Sequence, residues 1–262
     1  MSQFENKIMN RGMKSYKTFI TFLTFSTFVT LVAHAQQWTD ATKEEVAKEF
    51  ESAVKWYSKT PAYSMNVTHS SYENYETDIP YERKSGYFKK DNTNYHSFLL
   101  GLHTIQNSSY KIVVDTSGKL MMVGYPDKAM EEIIGIKDYE EKLEMCAALK
   151  KMESANGKIY RLEFDSDSPI KAYEVAIYPQ GMVKELVIYY NTEIKKDADN
   201  PDSEAVKPRM VISFSNYNAN VKFKYNEEFS EANYIVVNKD KKLSLGSRYK
   251  GYELNDQRLM VQ

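Results

Sequence analysis

Few residues in this chain have the types and spacing that chemistry needs. Beyond the N-terminal region there are three histidines, His69, His96 and His103. Imidazoles serve as metal ligands and general bases, but both tasks need partners at fixed spacing. His96 and His103 sit seven positions apart, which puts them on opposite faces of a regular strand unless Gly101 between them inserts a bulge. Surface or edge positions are expected for all three, with no metal site. Cys146 is the only cysteine, so no intrachain disulfide can form. It falls in an apolar run read as helical, where a buried thiol is inert. The pairs Glu131-Glu132 and Glu140-Glu141 suit solvated helix faces. Asp165, Asp167 and the acidic stretch from Asp197 to Asp202 fall in loops without the spacing and glycine of a calcium loop. There is no Gly-x-Ser-x-Gly, no His-Glu-x-x-His, no phosphate loop and no Cys-x-x-Cys. The residues give no catalytic site, no cofactor and no enzyme.

What remains is architecture. Gly86 to Tyr125 reads as the centre of an antiparallel meander, three or four short apolar runs joined by polar turns. Tyr95 to Ile105 reads as one strand, bent or bulged at Gly101. Tyr110 to Val114 and Leu120 to Val123 flank the turn Asp115-Thr116-Ser117-Gly118, and Pro126 ends the sheet. Before the meander, Val46, Ala47, Phe50, Ala53, Val54 and Tyr57 form one stripe of a helix from about Ala41 to Ser58. Tyr63, Met65, Val67 and His69 then alternate with polar residues as a half-buried strand, and Glu82 to Lys89 follows as the next. From Asp127 to Met152 the spacing turns helical, through Tyr139, Leu143, Met145, Cys146, Leu149 and Met152. Strands resume at Ile159–Phe164, Ala172–Tyr178, Met182–Tyr190, Arg209–Tyr217 and Tyr234–Val237. Lys195 to Lys207 is a charged loop, and the polar tail from Asn238 either packs along an edge or stays loose.

The N-terminus sets the compartment. Lys14 and Lys17 precede an uncharged run, Thr18 to Val32, and Ala33-His34-Ala35 offers small residues where a signal peptidase reads. At about 15 residues the run is short for a bilayer span. Export to the periplasm with cleavage after Ala35 is expected, with no permanent membrane anchor and Met13 as an alternative start. The domain plan is residues 1–35 as extension and signal peptide, 36–237 as one domain, and 238–262 as a polar C-terminal segment. The formal net charge of −1 carries no footprint of nucleic-acid binding. Tyrosine is abundant, 21 residues against 10 glycines, and its apolar ring with a polar tip suits sheet faces and grooves.

The strand faces carry large apolar side chains: Met65, Tyr87, Phe98, Leu100, Ile112, Met122, Tyr173, Val175, Ile177, Val187 and Phe214. Two readings stay open. They fill a closed core under the helices, or they line a partly covered concave face that takes a hydrophobic ligand.

The order of segments resembles the periplasmic outer-membrane lipoprotein carrier (LolA-like) family. Three pieces carry the likeness. They are the helix and strand from Val46 to His69, the run from Gly86-Tyr87-Phe88 through Tyr110–Asp115 to Gly118-Lys119-Leu120, and the back half. In the back half the carriers are Tyr160-Arg161-Leu162, the hairpin at Pro179-Gln180-Gly181, and Val211 to Tyr217, with Asn220 and Phe229. The sequence departs from the family at Thr116-Ser117, inserted before the glycine, and in the enlarged segments 127–152 and 195–207. The resemblance implies an α+β, mainly antiparallel fold, an incomplete half-barrel with helices over its concave face. It also implies a non-enzymatic carrier of an acyl chain or a lipoprotein's lipid group, with the eleven apolar residues as cavity lining. An envelope protein docking on the same scaffold, with its interior closed, is the alternative.

Overall fold

The computed structural model describes residues 37–127, 138–196, 200 and 202–260. The proposed signal peptide, residues 1–35, lies outside the described residues. So do Glu131, Glu132 and the first part of the expected helical block.

The first helix follows the sequence pattern closely. After a two-residue strand β1 (Thr39–Asp40), helix α1 (Lys43–Lys59) starts where the Thr42 hydroxyl accepts from the Glu45 N–H at 3.2 Å. Its buried stripe is Val46, Phe50, Ala53 and Tyr57. Its C-terminal carbonyls are closed from outside the helix. The buried Lys90 ammonium donates to the carbonyls of Tyr57 at 2.9 Å, Ser58 at 3.3 Å and Thr60 at 2.8 Å. A cation there meets both the orphan acceptors and the negative end of the helix dipole.

The strands follow as β2 (Ala62–Tyr72), β3 (Glu82–Asp91), β4 (Asn94–Leu99), β5 (Leu102–Gln106), β6 (Lys111–Asp115) and β7 (Leu120–Gly124). Then come helix α2 (Tyr139–Glu144), β8 (Cys146–Ser154), β9 (Gly157–Phe164), β10 (Ile170–Ile177), β11 (Val183–Tyr190), β12 (Ile194–Lys195), β13 (Ala205–Val206) and β14 (Arg209–Asn218). The C-terminal part holds α3 (Tyr225–Glu228), β15 (Ile235–Val237), β16 (Leu243–Leu245) and β17 (Glu253–Asp256). Thirteen strands form one sheet in the order β1-β8-β9-β10-β11-β14-β2-β3-β4-β5-β6-β7-β17. All its pairings are antiparallel except β17 on β7. Strands β2 and β14 join the two halves, with Val67 opposite Phe214. The edge strands β1 and β17 do not meet, so the sheet is open.

The sheet curls around α1. Helix side chains reach β8 (Glu45 to Lys151, 2.7 Å), β11 (Tyr57 hydroxyl to the Val183 N–H, 3.1 Å), β14 (Trp56 to Tyr217, 4.9 Å between rings) and β2 (Tyr57 to Tyr63, 5.7 Å). Laid flat, the strands β8, β9, β10, β11, β14, β2 and β3 would span about 29 Å at a spacing of roughly 4.8 Å. A helix with its side chains is about 10–12 Å across. The open sheet bends round α1 so that both flanks meet it, and the fold is a half-barrel with α1 in its hollow.

Two cores result, on opposite faces. The inner one joins the α1 stripe to Met65, Val67, Phe88, Tyr95, Leu162, Val175, Ile177, Leu186, Phe214 and their neighbours. The outer one joins Ile105, Ile112, Val114, Met121 and Val123 to Tyr234, Ile235 and Tyr249 of the C-terminal segment. The tail from Asn238 is thus packed along the sheet, with β16 on β15 and β17 on β7.

Two sequence expectations are corrected. Tyr95 to Ile105 is a tight hairpin, not one bent strand. Leu100 (φ 52°) and Gly101 (φ 88°) both take left-handed backbone, the geometry of a two-residue turn that matches strand twist. The continuous apolar run Phe98-Leu99-Leu100 hides that turn. Second, Met145 to Met152 is not helical. Helix α2 ends at Glu144, and Cys146, Leu149 and Met152 belong to β8, laddered on β9 from Cys146–Phe164 to Ser154–Gly157. Apolar residues three and four apart fit a half-buried strand as well as a helix, and pairing with β9 decides.

Candidate functional site

The eleven apolar candidates do not line one cavity. Met65, Val175, Ile177 and Phe214 lie in the inner core with at most 4% of their surface exposed. Tyr173 is half-buried at the margin of that core, and Met122 is half-buried on β7. Tyr87, Phe98 and Ile112 face the other side of the sheet. Val187 belongs to a small outer cluster with Tyr72 and Val211, and Leu100 is exposed at its hairpin tip. Period-two alternation separates two faces but does not say which one is concave.

Over the described residues, α1 fills the hollow. An apolar cavity of about 440 Å³ remains at its margin, between α2 and the β9–β10 connection. Its apolar lining is Met145, Phe164, Pro169, Ile170 and Tyr173, and Lys142, Asp165, Asp167 and Ser168 complete it. This volume is in the range of small-ligand pockets. Phe164 and Tyr173 meet edge to face at 5.6 Å, and both pack on the inner core. Burial raises the Tyr173 phenol above its ordinary value, so it stays a neutral wall.

The walls have identifiable supports. Within the connecting loop, the Ser168 N–H donates to the Asp165 carbonyl at 3.0 Å and the Ile170 N–H to the Ser168 hydroxyl at 3.3 Å. Asn191 ties the loop to β11. Its amide donates to the carbonyls of Ser166 at 2.6 Å and Ser168 at 3.2 Å, and its N–H to Pro169 at 2.8 Å. Opposite, α2 is held to α1 by Tyr139 against Phe50, 5.9 Å between rings, and by Lys43 to Glu144 at 3.0 Å. Leu143 is buried beneath it, and Met145 is left 55% exposed beside the cavity.

Cys146 lies next to this site but offers no nucleophile. Its thiol donates to the Lys142 carbonyl at 3.1 Å, and burial pushes it up to about 11, so the reactive thiolate is scarce near neutral pH. Among the described residues no three His, Cys, Asp or Glu side chains come together as a metal site would require.

The hairpin correction changes the histidines. Because the turn has two residues, Phe98 faces His103 and His96 faces Ile105, and all four share the outer face. The His96 and His103 rings lie 6.2 Å apart. His96 is 8% exposed, and its Nδ1 is 3.3 Å from a Glu228 carboxylate oxygen. Sequence spacing missed this grouping because it depends on a turn read as strand. The sequence signal for the inner-face cavity was Asp165 to Pro169, a polar loop flanked by Phe164 and Ile170.

No protein-family model and no curated protein matches the chain. Solved structures resemble it remotely. LprF from Mycobacterium bovis is 10% identical, with a TM-score of 0.35, over 71% of this chain and 98% of that one. A LolA superfamily protein from Nitrosomonas europaea is 10% identical, with a TM-score of 0.29, over 70% and 96%. A putative outer membrane lipoprotein-sorting protein domain from Vibrio parahaemolyticus is 7% identical, with a TM-score of 0.24, over 69% and 96%. What the site can do is read from its own residues.

Proposed function

We propose that the chain is a non-enzymatic binding protein of the cell envelope that takes a single acyl chain, free or carried by a lipoprotein. The observation that carries the reading is the apolar cavity between α2 and the β9–β10 connection. A hydrocarbon chain inserted there would cover Phe164, Ile170, Tyr173 and Met145, which otherwise leave apolar surface to water. Burying apolar surface contributes roughly 25 cal/mol per Å². The polar end of the ligand would stay beside Lys142, Asp165 and Asp167. Of the eleven sequence candidates, Tyr173 touches the ligand directly in this reading. Val175 and Ile177 support it from the same strand.

Export to the periplasm belongs to the same proposal and rests on the basic, apolar and small-residue pattern that ends at Ala35. The division into residues 1–35, 36–237 and 238–262 is part of the same proposal, with β15 and β16 paired across the second boundary. Among the described residues no helix is long and apolar enough to cross a membrane.

A second reading, an envelope protein-docking module with a closed interior, is favoured by the completeness with which α1 fills the hollow. The two are separated by titrating the mature chain with a fluorescent fatty acid. The carrier reading expects saturable uptake that Ile170→Asp weakens at least tenfold. Absence of uptake, together with capture of an envelope partner that Ile170→Asp leaves intact, would favour docking.

A further inference from the structure

The outer face holds a second cavity, of about 690 Å³, between the β4–β5 hairpin and the C-terminal segment. Its walls differ in kind from those of the inner-face cavity. They present the rings of Tyr87, Tyr249 and Tyr252, the imidazoles of His96 and His103, and the Arg248 guanidinium. Tyr234 stacks on Tyr249 with ring centres 5.5 Å apart, and Tyr252 meets Tyr249 edge to face at 5.3 Å. A half-buried relay fixes the polarity of one wall. Lys89 holds Glu228 with 2.8 Å to each carboxylate oxygen, and Glu228 faces His96 Nδ1. The Tyr87 hydroxyl lies 3.0 Å from His96 Nε2.

The proton order in this relay follows from chemistry. A carboxylate held by a lysine can only accept, so Nδ1 carries the imidazole proton and Nε2 accepts from Tyr87. Burial lowers His96 below its ordinary value, more than Glu228 raises it, which keeps the ring neutral. Tyr87 therefore turns its oxygen lone pairs toward the cavity as a fixed acceptor. Arg248 supplies the complementary donor. It is exposed, lies over the Tyr249 ring at 5.9 Å, and makes no ion pair among the described residues. Arg248 and Glu227 line the cavity with opposite formal charges, Glu227 also pairs with Lys224 at 2.8 Å, and Lys89 and Glu228 neutralise each other.

Three ligand chemistries can be weighed. A hydrocarbon would take water from the Arg248 guanidinium, the Asn226 amide and the free lone pairs of Tyr87 and give them no polar partner. An anion would find one unpaired cation opposed by a carboxylate. A neutral polyol meets donors and acceptors together with aromatic faces for its C–H surfaces, and needs no net charge. We propose that this outer cavity is a binding site for a neutral sugar unit, separate from the inner-face apolar cavity and on the opposite face of the sheet.

The test is saturation-transfer NMR on the mature chain with maltotriose, cellotriose, mannotriose and N-acetylchitotriose, and inorganic phosphate as the charged probe. At least one trisaccharide should bind, and Tyr87→Phe and Arg248→Ala should each weaken it at least tenfold. Tyr87→Phe keeps the ring, so an unchanged melting temperature separates loss of the acceptor from loss of fold. The proposal fails if none of the four sugars binds, if binding survives both substitutions, or if phosphate displaces the sugar.

Discussion

The two faces of the sheet are closed in different ways. On the inner face a 17-residue helix presents one apolar stripe to strands from β8 to β3. On the outer face short pieces, β15, β16 and the turns around them, lie over β5, β6 and β7, while β17 extends the sheet beside β7. A continuous helix fills its hollow, and the apolar cavity lies at its margin. A cover of short segments leaves a polar gap near its centre. The cavity on each face sits where the covering element is least regular.

The largest expected effect tests whether α1 is the keystone of the inner face. Phe50 is 2% exposed and stacks edge to face on Tyr139 and Tyr160. Phe50→Ala should cost about 3–5 kcal/mol in urea unfolding. A loss under about 1 kcal/mol would mean that the hollow does not depend on the helix. On the outer face, Tyr249→Ala should cost less, about 2 kcal/mol. Hydrogen exchange should show lost protection confined to β15–β17 and β7. Loss spreading to β9–β11 would merge the two cores into one cooperative unit.

A smaller effect separates the faces by pH. His96 and His103, on the outer face, and His69 on β2 are all shifted below the ordinary histidine value, in each case chiefly by burial. A lowered folded-state pKa means that the unfolded chain binds the proton first. Stability is then full above the ordinary value near 6.5 and is lost as pH falls through the lower folded values. Unfolding midpoints should drop as pH falls below the ordinary value near 6.5, and His96→Gln should flatten that drop. The sign is the point at issue: a variant steeper than the parent chain would mean that Glu228 outweighs burial. The smallest effect concerns the hairpin tip. Leu100 carries positive φ in a turn position that favours asparagine, and it is 53% exposed. Leu100→Asn should raise stability by about 1 kcal/mol, read as a higher urea midpoint. A fall would show that the leucine makes contacts that matter.

The same contrast explains what could be read from residues alone. The α1 stripe is periodic over four turns, so its bounds and buried face were legible. Most strands were too, because alternation survives wherever one face is buried. Of the outer cover, β15 was legible as the strand read at Tyr234 to Val237, and the rest was not. Leu243, Leu245 and Leu254 belong to strands of three or four residues, too short for any period to show. The Leu100-Gly101 turn was masked by its apolar neighbours, and with it the approach of His96 to His103. Of the candidate site, Tyr173 was legible as an inner-face residue. Its partners Met145 and Ile170 depend on where α2 ends and how Asn191 holds the loop, and neither leaves a pattern in sequence.

The central claim is that an acyl chain enters at α2 and the β9–β10 connection. The most direct measurement is photo-crosslinking of the mature chain with a diazirine-bearing fatty acid, followed by peptide mapping. The account predicts saturable adducts on Met145 and on the segment from Phe164 to Tyr173, competed by unlabelled fatty acid. Adducts confined to the outer cavity around Tyr87 and Tyr252, or labelling that does not saturate, would contradict it.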